Sequence, residues 1–432
     1  MFKKYAQDLL RIAGPIMMGN LGFIMIGVGD VIVAGRHSTD TLAAISIATA
    51  ITNTIMMLGI GILVSISAVL SNYRGEGRDI QKYFYSSLKF GMLLALFMCF
   101  IILACIPAID NIALAPELIP LIKDYFFITA FAVFGGYLHC VTKEYLQAFE
   151  IVMFPNLVTI VCVFLNIILN IVLVFGIGPF PELGVKGLAI ASLFARYSMG
   201  ITLLIYCFVK FKFVDFKDFN YIKDIIKIGI PASLAIMLEF TGFNVITVIM
   251  GCVSGIYSAA HNLMCTLTTV SFMIPLAVSN AAAIKVGYSN GGKYYTDLKK
   301  YVKTALAICV IVMACSAVII GIIPEFIIRL FTIDSELIKV CVPIAYVLCF
   351  FQIFDGLQVC LSGIFKGIKH TKVVMVSNFI GYWVIAIPLG CVLAFKYNMK
   401  LFGFWCALAF SSVVLCSIMG INLYGRLSKL KE

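Results

Sequence analysis

The sequence predicts an all-α membrane protein whose chain crosses the bilayer twelve times. Three observations carry that expectation. First, 62% of the 432 residues are hydrophobic and 12% are charged, against roughly 45–50% and about 25% in a soluble domain. Such a chain has too little polar surface to coat itself in water. That excludes a soluble enzyme, a disordered or fibrous chain and a nucleic-acid-binding module. Second, apolar runs of about 20 residues, enough to cross a hydrocarbon layer about 30 Å thick, recur twelve times. Third, the runs lack the polar–apolar alternation of a transmembrane β-barrel.

The runs cover residues 12–34, 42–70, 88–109, 119–141, 152–176 and 187–209, then 228–251, 257–283, 302–323, 340–365, 373–395 and 402–423. Basic residues punctuate them. The first lies between Arg11 and Arg36, and the second stops before Arg74. The third follows Arg78 and Lys82 and carries Lys89 at its start, the fourth ends before Lys143, and Lys186 precedes the sixth. In the second half, Lys227, Lys285, Lys303, Lys339, Lys366, Lys372, Lys396, Lys400 and Arg426 mark the ends. The opening Met1-Phe2-Lys3-Lys4 shows no short apolar stretch with a cleavage site, so the first run reads as a retained span.

The charge pattern orients the chain. With the N-terminus inside, 24 basic residues fall on the cytoplasmic side and seven outside, namely Arg36, Lys123, Lys186, Arg329, Lys339, Lys396 and Lys400. Arg196 lies within a span. Cytoplasmic loops carry the excess of Lys and Arg, so both termini are expected in the cytoplasm. The net charge of +11 then reflects loops on one membrane face and no nucleic-acid partner. The 15 cysteines are scattered through apolar runs without a Cys-x-x-Cys or a Cys/His cluster, and read as small core side chains. The bias toward lysine and isoleucine points to an AT-rich bacterial source.

The chain also repeats. Shifted by 216 residues, Pro15 meets Pro231, Gly35 meets Gly251, Ala43-Ala44 meets Ala259-Ala260 and Gly75 meets Gly291. Six spans per repeat give both halves one orientation, a parallel duplication of the kind transporters use. The expected organisation is an N-lobe over residues 1–209, a cytoplasmic linker over 210–227 and a C-lobe over 228–432.

A charge at the bilayer centre costs about 2.5–3.5 kcal/mol on insertion scales, so each one inside a span needs a reason. The clear cases are Asp30, Arg196, Glu239 and Asp355. Glu239 lies twelve residues beyond Lys227 and Asp355 eleven before Lys366. At about 1.5 Å per residue both sit ~17 Å above the cytoplasmic boundary. Two carboxyls at one depth can share a proton or a monovalent cation. Asp30 belongs to the outer half of the first span. Asn166 and Asn170, four residues apart on one face of the fifth span, lie at similar depth, as does Ser192 on the sixth. One carboxylate with three neutral oxygens suits a small hard cation or a hydrogen-bonded carboxyl. A sodium ion is thus expected at Glu239 and Asp355, or at Asp30 and Asn170. His37, His139, His261 and His370 read as loop or packing residues. Arg196 is assigned no role beyond snorkelling or binding carbonyls.

Several segments resemble the multidrug and toxic compound extrusion (MATE) family, in its NorM-like branch. Gly27-Val28-Gly29-Asp30 with Ala34-Gly35-Arg36 and Leu42-Ala43-Ala44 resembles the first span of that family. Gly229-Ile230-Pro231 with Glu239 resembles the seventh. Phe351-Gln352-Ile353-Phe354-Asp355-Gly356-Leu357-Gln358 resembles the tenth, and Tyr382-Trp383 with Pro388-Leu389-Gly390 the eleventh. Leu165-Asn166, Asn170 and Ala191-Ser192 resemble the fifth and sixth. The resemblance runs the length of the chain in order. It implies two six-helix lobes around a central cavity and export of organic cations in exchange for H⁺ or Na⁺. It also implies a coupling role for Glu239, Asp355 and Asp30, with Asn166, Asn170 and Ser192 in support. Asn170 stands where one branch of the family carries a second aspartate, which argues against that branch.

The expectation is therefore a secondary active antiporter, a monomer in the plasma membrane, that needs no cofactor beyond its coupling ion. An alternative within transport is a flippase or exporter of a lipid-linked or peptide-like substrate with the same architecture. A membrane enzyme would need a polar catalytic cluster or a Gly-x-x-x-x-Gly-Lys-Ser/Thr loop, and the sequence contains neither.

Overall fold

The structure, a computed structural model, describes residues 2–111, 115–211 and 218–430. Lys212, Asp215, Lys217 and Lys431, which entered the charge pattern and the linker, lie outside the described residues. Among those described, twelve helices are long and apolar enough to span a membrane, as expected. They are α1 (Phe2–His37), α2 (Thr39–Gly75), α3 (Gln81–Asn111), α4 (Leu118–Ala148), α5 (Met153–Phe175) and α6 (Val185–Lys210), followed by α7 (Phe219–Val253), α8 (Gly255–Gly291), α9 (Tyr295–Ile322), α10 (Ser335–Gly367), α11 (Thr371–Lys396) and α12 (Lys400–Leu427). The chain is an integral membrane protein. Most of these helices outrun the apolar runs, because backbone hydrogen bonding continues past the point where side chains turn polar. α7 begins at Phe219, within the stretch 210–227.

Two helices are irregular. α2 is interrupted at Val64, between Thr39–Leu63 and Ser65–Gly75. α11 widens into π-helix at Phe379–Ala386 and Val392–Lys396, on either side of the turn that holds Pro388. Proline removes a backbone donor and crowds the preceding turn, and π-turns often mark functional positions in helices.

The 216-residue repeat is visible in the helices themselves. α2 and α8 coincide at both ends under that shift. Their N-caps coincide too: Ser38 accepts from Thr41 N at 3.0 Å and Ser254 from Ile256 N at 3.4 Å. A serine oxygen at this position satisfies one of the amides that a helix start leaves unpaired.

The chain divides into two compact units, Met18–Ser233, and Met1–Met17 with Leu234–Glu432. Both boundaries fall inside a helix, two residues beyond Pro15 and Pro231. The hydrogen bonds explain the division. In the unit Met18–Ser233, the first turns of α7 are held by Tyr73, which donates to Asp224 Oδ2 at 3.1 Å, and by Tyr83, which donates to Asp218 Oδ2 at 3.3 Å. Ser233 Oγ donates to Leu58 O at 2.6 Å. In the other unit, the first turns of α1 are held by Tyr5, donating to Asp297 Oδ1 at 2.6 Å, and by Tyr301, donating to Asp8 Oδ2 at 3.0 Å.

Each unit buries large side chains. Phe84, Phe126, Tyr137 and Tyr145 fill the first; Phe351, Phe365, Phe404 and Trp405 fill the second. Close helix approach rests on small residues, as is usual where lipid removes any hydrophobic drive between helices. A Cβ on Gly135 of α4 would lie 2.7 Å from Tyr197 N on α6, and one on Gly363 of α10 would collide with Ser279 O on α8.

Candidate functional site

In the unit Met18–Ser233, α1, α5 and α6 bring four of the expected residues together. Asp30, Asn166, Asn170 and Ser192 are all buried. Asn170 Nδ2 donates to Asp30 Oδ1 at 2.6 Å, and Ser192 Oγ donates to Asp30 Oδ2 at 3.2 Å. Asn170 Nδ2 also donates to Asn166 Oδ1 at 3.3 Å, and Asn166 Nδ2 to Ser192 Oγ at 3.4 Å. The four side chains close a ring in which each carboxylate oxygen receives one neutral donor. Asn170 Oδ1 is buried and accepts no hydrogen bond.

Arg196 lies one turn further along α6 from Ser192. Its Nη1 makes a 2.8 Å contact with Met56 Sδ.

In the other unit, Glu239 on α7 reaches the turn of α10 that follows Asp355, through Gln358. The two carboxyls do not bond to each other directly. Gln358, one turn beyond Asp355, donates through Nε2 to Glu239 Oε2 at 3.1 Å and to Asn378 Oδ1 at 3.4 Å. Asn378 Nδ2 donates to Glu239 Oε2 at 3.4 Å and to Ala235 O at 3.0 Å. Tyr382 OH donates to Gln358 Oε1 at 3.2 Å. Glu239 thus has two amide donors on one oxygen. Asp355, 2% exposed, has none among the described residues, and its Oδ1 is fully enclosed. Beside it Gln352 accepts from Ser316 at 3.2 Å while its Nε2 stays unpaired.

Gln358, Asn378 and Tyr382 were not singled out as site residues from the sequence. The signal was present: Gln352, Asp355 and Gln358, spaced by three, put a polar stripe on one face of an apolar helix. The histidines sit as expected. His139 and His261 are buried; the first bonds Thr159 Oγ1 at 3.2 Å and the second Phe243 O at 3.2 Å. His37 pairs with Glu182 at 2.9 Å and His370 with Arg426 at 2.7 Å.

Comparison with known proteins agrees with this architecture. The family model MatE matches residues 15–172 and 231–392, two segments whose starts differ by the repeat length. A probable multidrug resistance protein NorM of Photorhabdus laumondii is 25% identical over 440 residues, covering 98% of this chain and 97% of the relative. Among solved structures, a multidrug resistance MATE family transporter in its outward-facing conformation superposes with a TM-score of 0.90 at 19% identity, over 99% of this chain and 97% of that one. A MOP superfamily transporter from Pyrococcus furiosus, described as having a binding pocket of reverse polarity that suggests a different function, gives 0.91 at 18% identity with the same coverage.

Proposed function

The chain belongs to the MatE family, and from that premise we propose that it is a secondary active multidrug efflux transporter. It exports lipophilic organic cations in exchange for H⁺ or Na⁺. The multidrug resistance name of its NorM relative supports the efflux reading. The single observation that carries the coupling reading is Asp355. An ionised carboxylate inside a span costs about 2.5–3.5 kcal/mol even on mild scales. Polar groups buried without partners are rare. With no donor on Asp355 and Glu239 beside it, the pair needs a positive charge to be stable, and a proton or a sodium ion supplies one.

The remaining residues follow from this. Gln358 and Asn378 hold the Glu239 carboxylate in place, and Asp30 with Asn166, Asn170 and Ser192 forms a second cation or proton site. Apolar and methionine-rich walls bury the organic part of a substrate, while carboxylates match its charge. A coupling ion bound from outside cancels that charge and weakens substrate binding, a negative linkage between two ligands. The charge pattern supports cytoplasmic termini in a bacterial plasma membrane, and the protein works as a monomer.

The test is dye efflux from cells and inverted vesicles, with imposed pH and Na⁺ gradients applied separately. Glu239→Gln and Asp355→Asn should abolish export and resistance while membrane expression persists. Full export by both variants would overturn the reading.

A further inference from the structure

We propose that Arg196 is the built-in counter-cation of Asp30: its guanidinium takes the carboxylate each time the coupling ion leaves, and yields it when the ion returns. This rests on the reading of Asp30 as part of an ion site.

The observation is an arginine deep in a span with the wrong partner. Arg196 is eleven residues from the outer end of α6, about 16 Å down. A guanidinium offers five donors and cannot shed its charge. Among the described residues its only polar contact is Met56 Sδ, and a thioether is a weak acceptor. Intramembrane arginines pair with acids or carbonyls as a rule. Among the described residues no carboxylate lies within ion-pair distance of it, while Asp30 is bonded to Ser192, one turn away on the same helix.

Helix geometry makes the exchange short. Ser192 and Arg196 are four residues apart on one face of α6, and Ser192 Oγ already touches Asp30 Oδ2 at 3.2 Å. Side chains on a helix lean toward its N-terminus. α6 starts at its outer end, so Arg196 leans outward over the turn that carries Ser192. α1 starts at its inner end, so Asp30 leans inward. The two side chains converge. The other titratable groups that sense the arginine are the hydroxyls of Tyr125 and Tyr137 on α4. Tyr137 donates to Met56 O at 3.0 Å, which fixes the residue whose sulfur holds the guanidinium. The exchange moves one N–H donor from Met56 Sδ to an Asp30 oxygen; with H⁺ as the ion the Asp30 O–H bond breaks and its proton passes to water, and with Na⁺ no covalent bond changes. It leaves the emptied carboxylate neutralised, so that the ion can depart.

The experiment measures dye efflux by full-length protein in proteoliposomes, against imposed pH and Na⁺ gradients in turn. Its readout is the ion concentration giving half-maximal efflux. Removing the competitor should favour the loaded form, so Arg196→Gln should lower that concentration about tenfold, the low end of measured couplings between close charges, and slow maximal efflux. Arg196→Lys, which keeps the charge, should stay within about threefold of the parent, and it guards against a folding defect. In an Asp30→Asn background Arg196→Gln should add nothing. A midpoint unchanged by Arg196→Gln, or a shift that persists with Asp30→Asn, would overturn the inference. If Asp30→Asn alone leaves the ion dependence unchanged, the reading of Asp30 as an ion site fails and takes the inference with it.

Discussion

Replacing Gln358 with leucine isolates what holds the Glu239 carboxylate ready. The volume is nearly kept, while the 3.1 Å donor to Glu239 Oε2 is lost. Asn378 remains, at 3.4 Å. A hydrogen bond to a charged group contributes about 1.5–3 kcal/mol. Taking the lower end, because a weaker donor persists, gives about 1.5 kcal/mol, or about tenfold in an equilibrium constant. The amide stabilises the ion-free carboxylate, so its loss favours the loaded form. The expected result is a half-maximal coupling-ion concentration about tenfold lower, with slower maximal efflux as release becomes harder. Efflux of a fluorescent cation from proteoliposomes across a series of imposed gradients reads both quantities. Tyr382→Phe, which removes only the 3.2 Å bond to Gln358 Oε1, should move the midpoint far less. A midpoint for Gln358→Leu within twofold of the parent, in protein with unchanged thermal unfolding, would refute the assignment of Gln358 as the donor that matters.

Three further outcomes follow from the geometry. Asn170→Leu removes the 2.6 Å donor to Asp30 and leaves Ser192 alone, so efflux rates in the same assay should fall about tenfold. Gly135→Leu pushes a side chain into the backbone of α6 at Tyr197; overpacking of about 1–3 kcal/mol should lower the unfolding midpoint in detergent by about 2–12 °C. Tyr73→Phe and Tyr301→Phe each remove one hydrogen bond that anchors a helix start, to Asp224 and to Asp8; each should cost about 1 kcal/mol, and the double variant should show the sum in thermal unfolding.

The number of spans and the 216-residue repeat were legible in the sequence because both depend on apolar length and on glycine and proline positions. The members of the Asp30 cluster were legible for a similar reason: Asn166 and Asn170 are a polar i,i+4 pair on an otherwise apolar helix. The partners of Glu239 were harder. Asn378 lies at the start of the π-helical stretch of α11, where the register departs from 3.6 residues per turn, so helical spacing does not reveal which way it faces. The division into units was legible only in part. A linker at 210–227 follows from composition, but the bonds that tie Asp224 to Tyr73 and Asp8 to Tyr301 are between residues far apart in the chain. No local pattern announces them.

The repeat explains the scaffold and leaves the chemistry unequal. Under the 216-residue shift Tyr5 corresponds to Tyr221 and Asp8 to Asp224, so the helix starts that each unit takes in are built from matching residues. The carboxyls do not correspond: Asp30 falls on Ile246, Glu239 on Phe23 and Asp355 on His139. Duplication therefore supplied two similar helix cages, and the ionisable side chains were placed in each independently. The outcome is visible in the hydrogen bonds. Asp30 has a neutral donor on each oxygen, which lowers the cost of its charge. Among the described residues Asp355 has no donor, so a bare charge there is costlier than at Asp30.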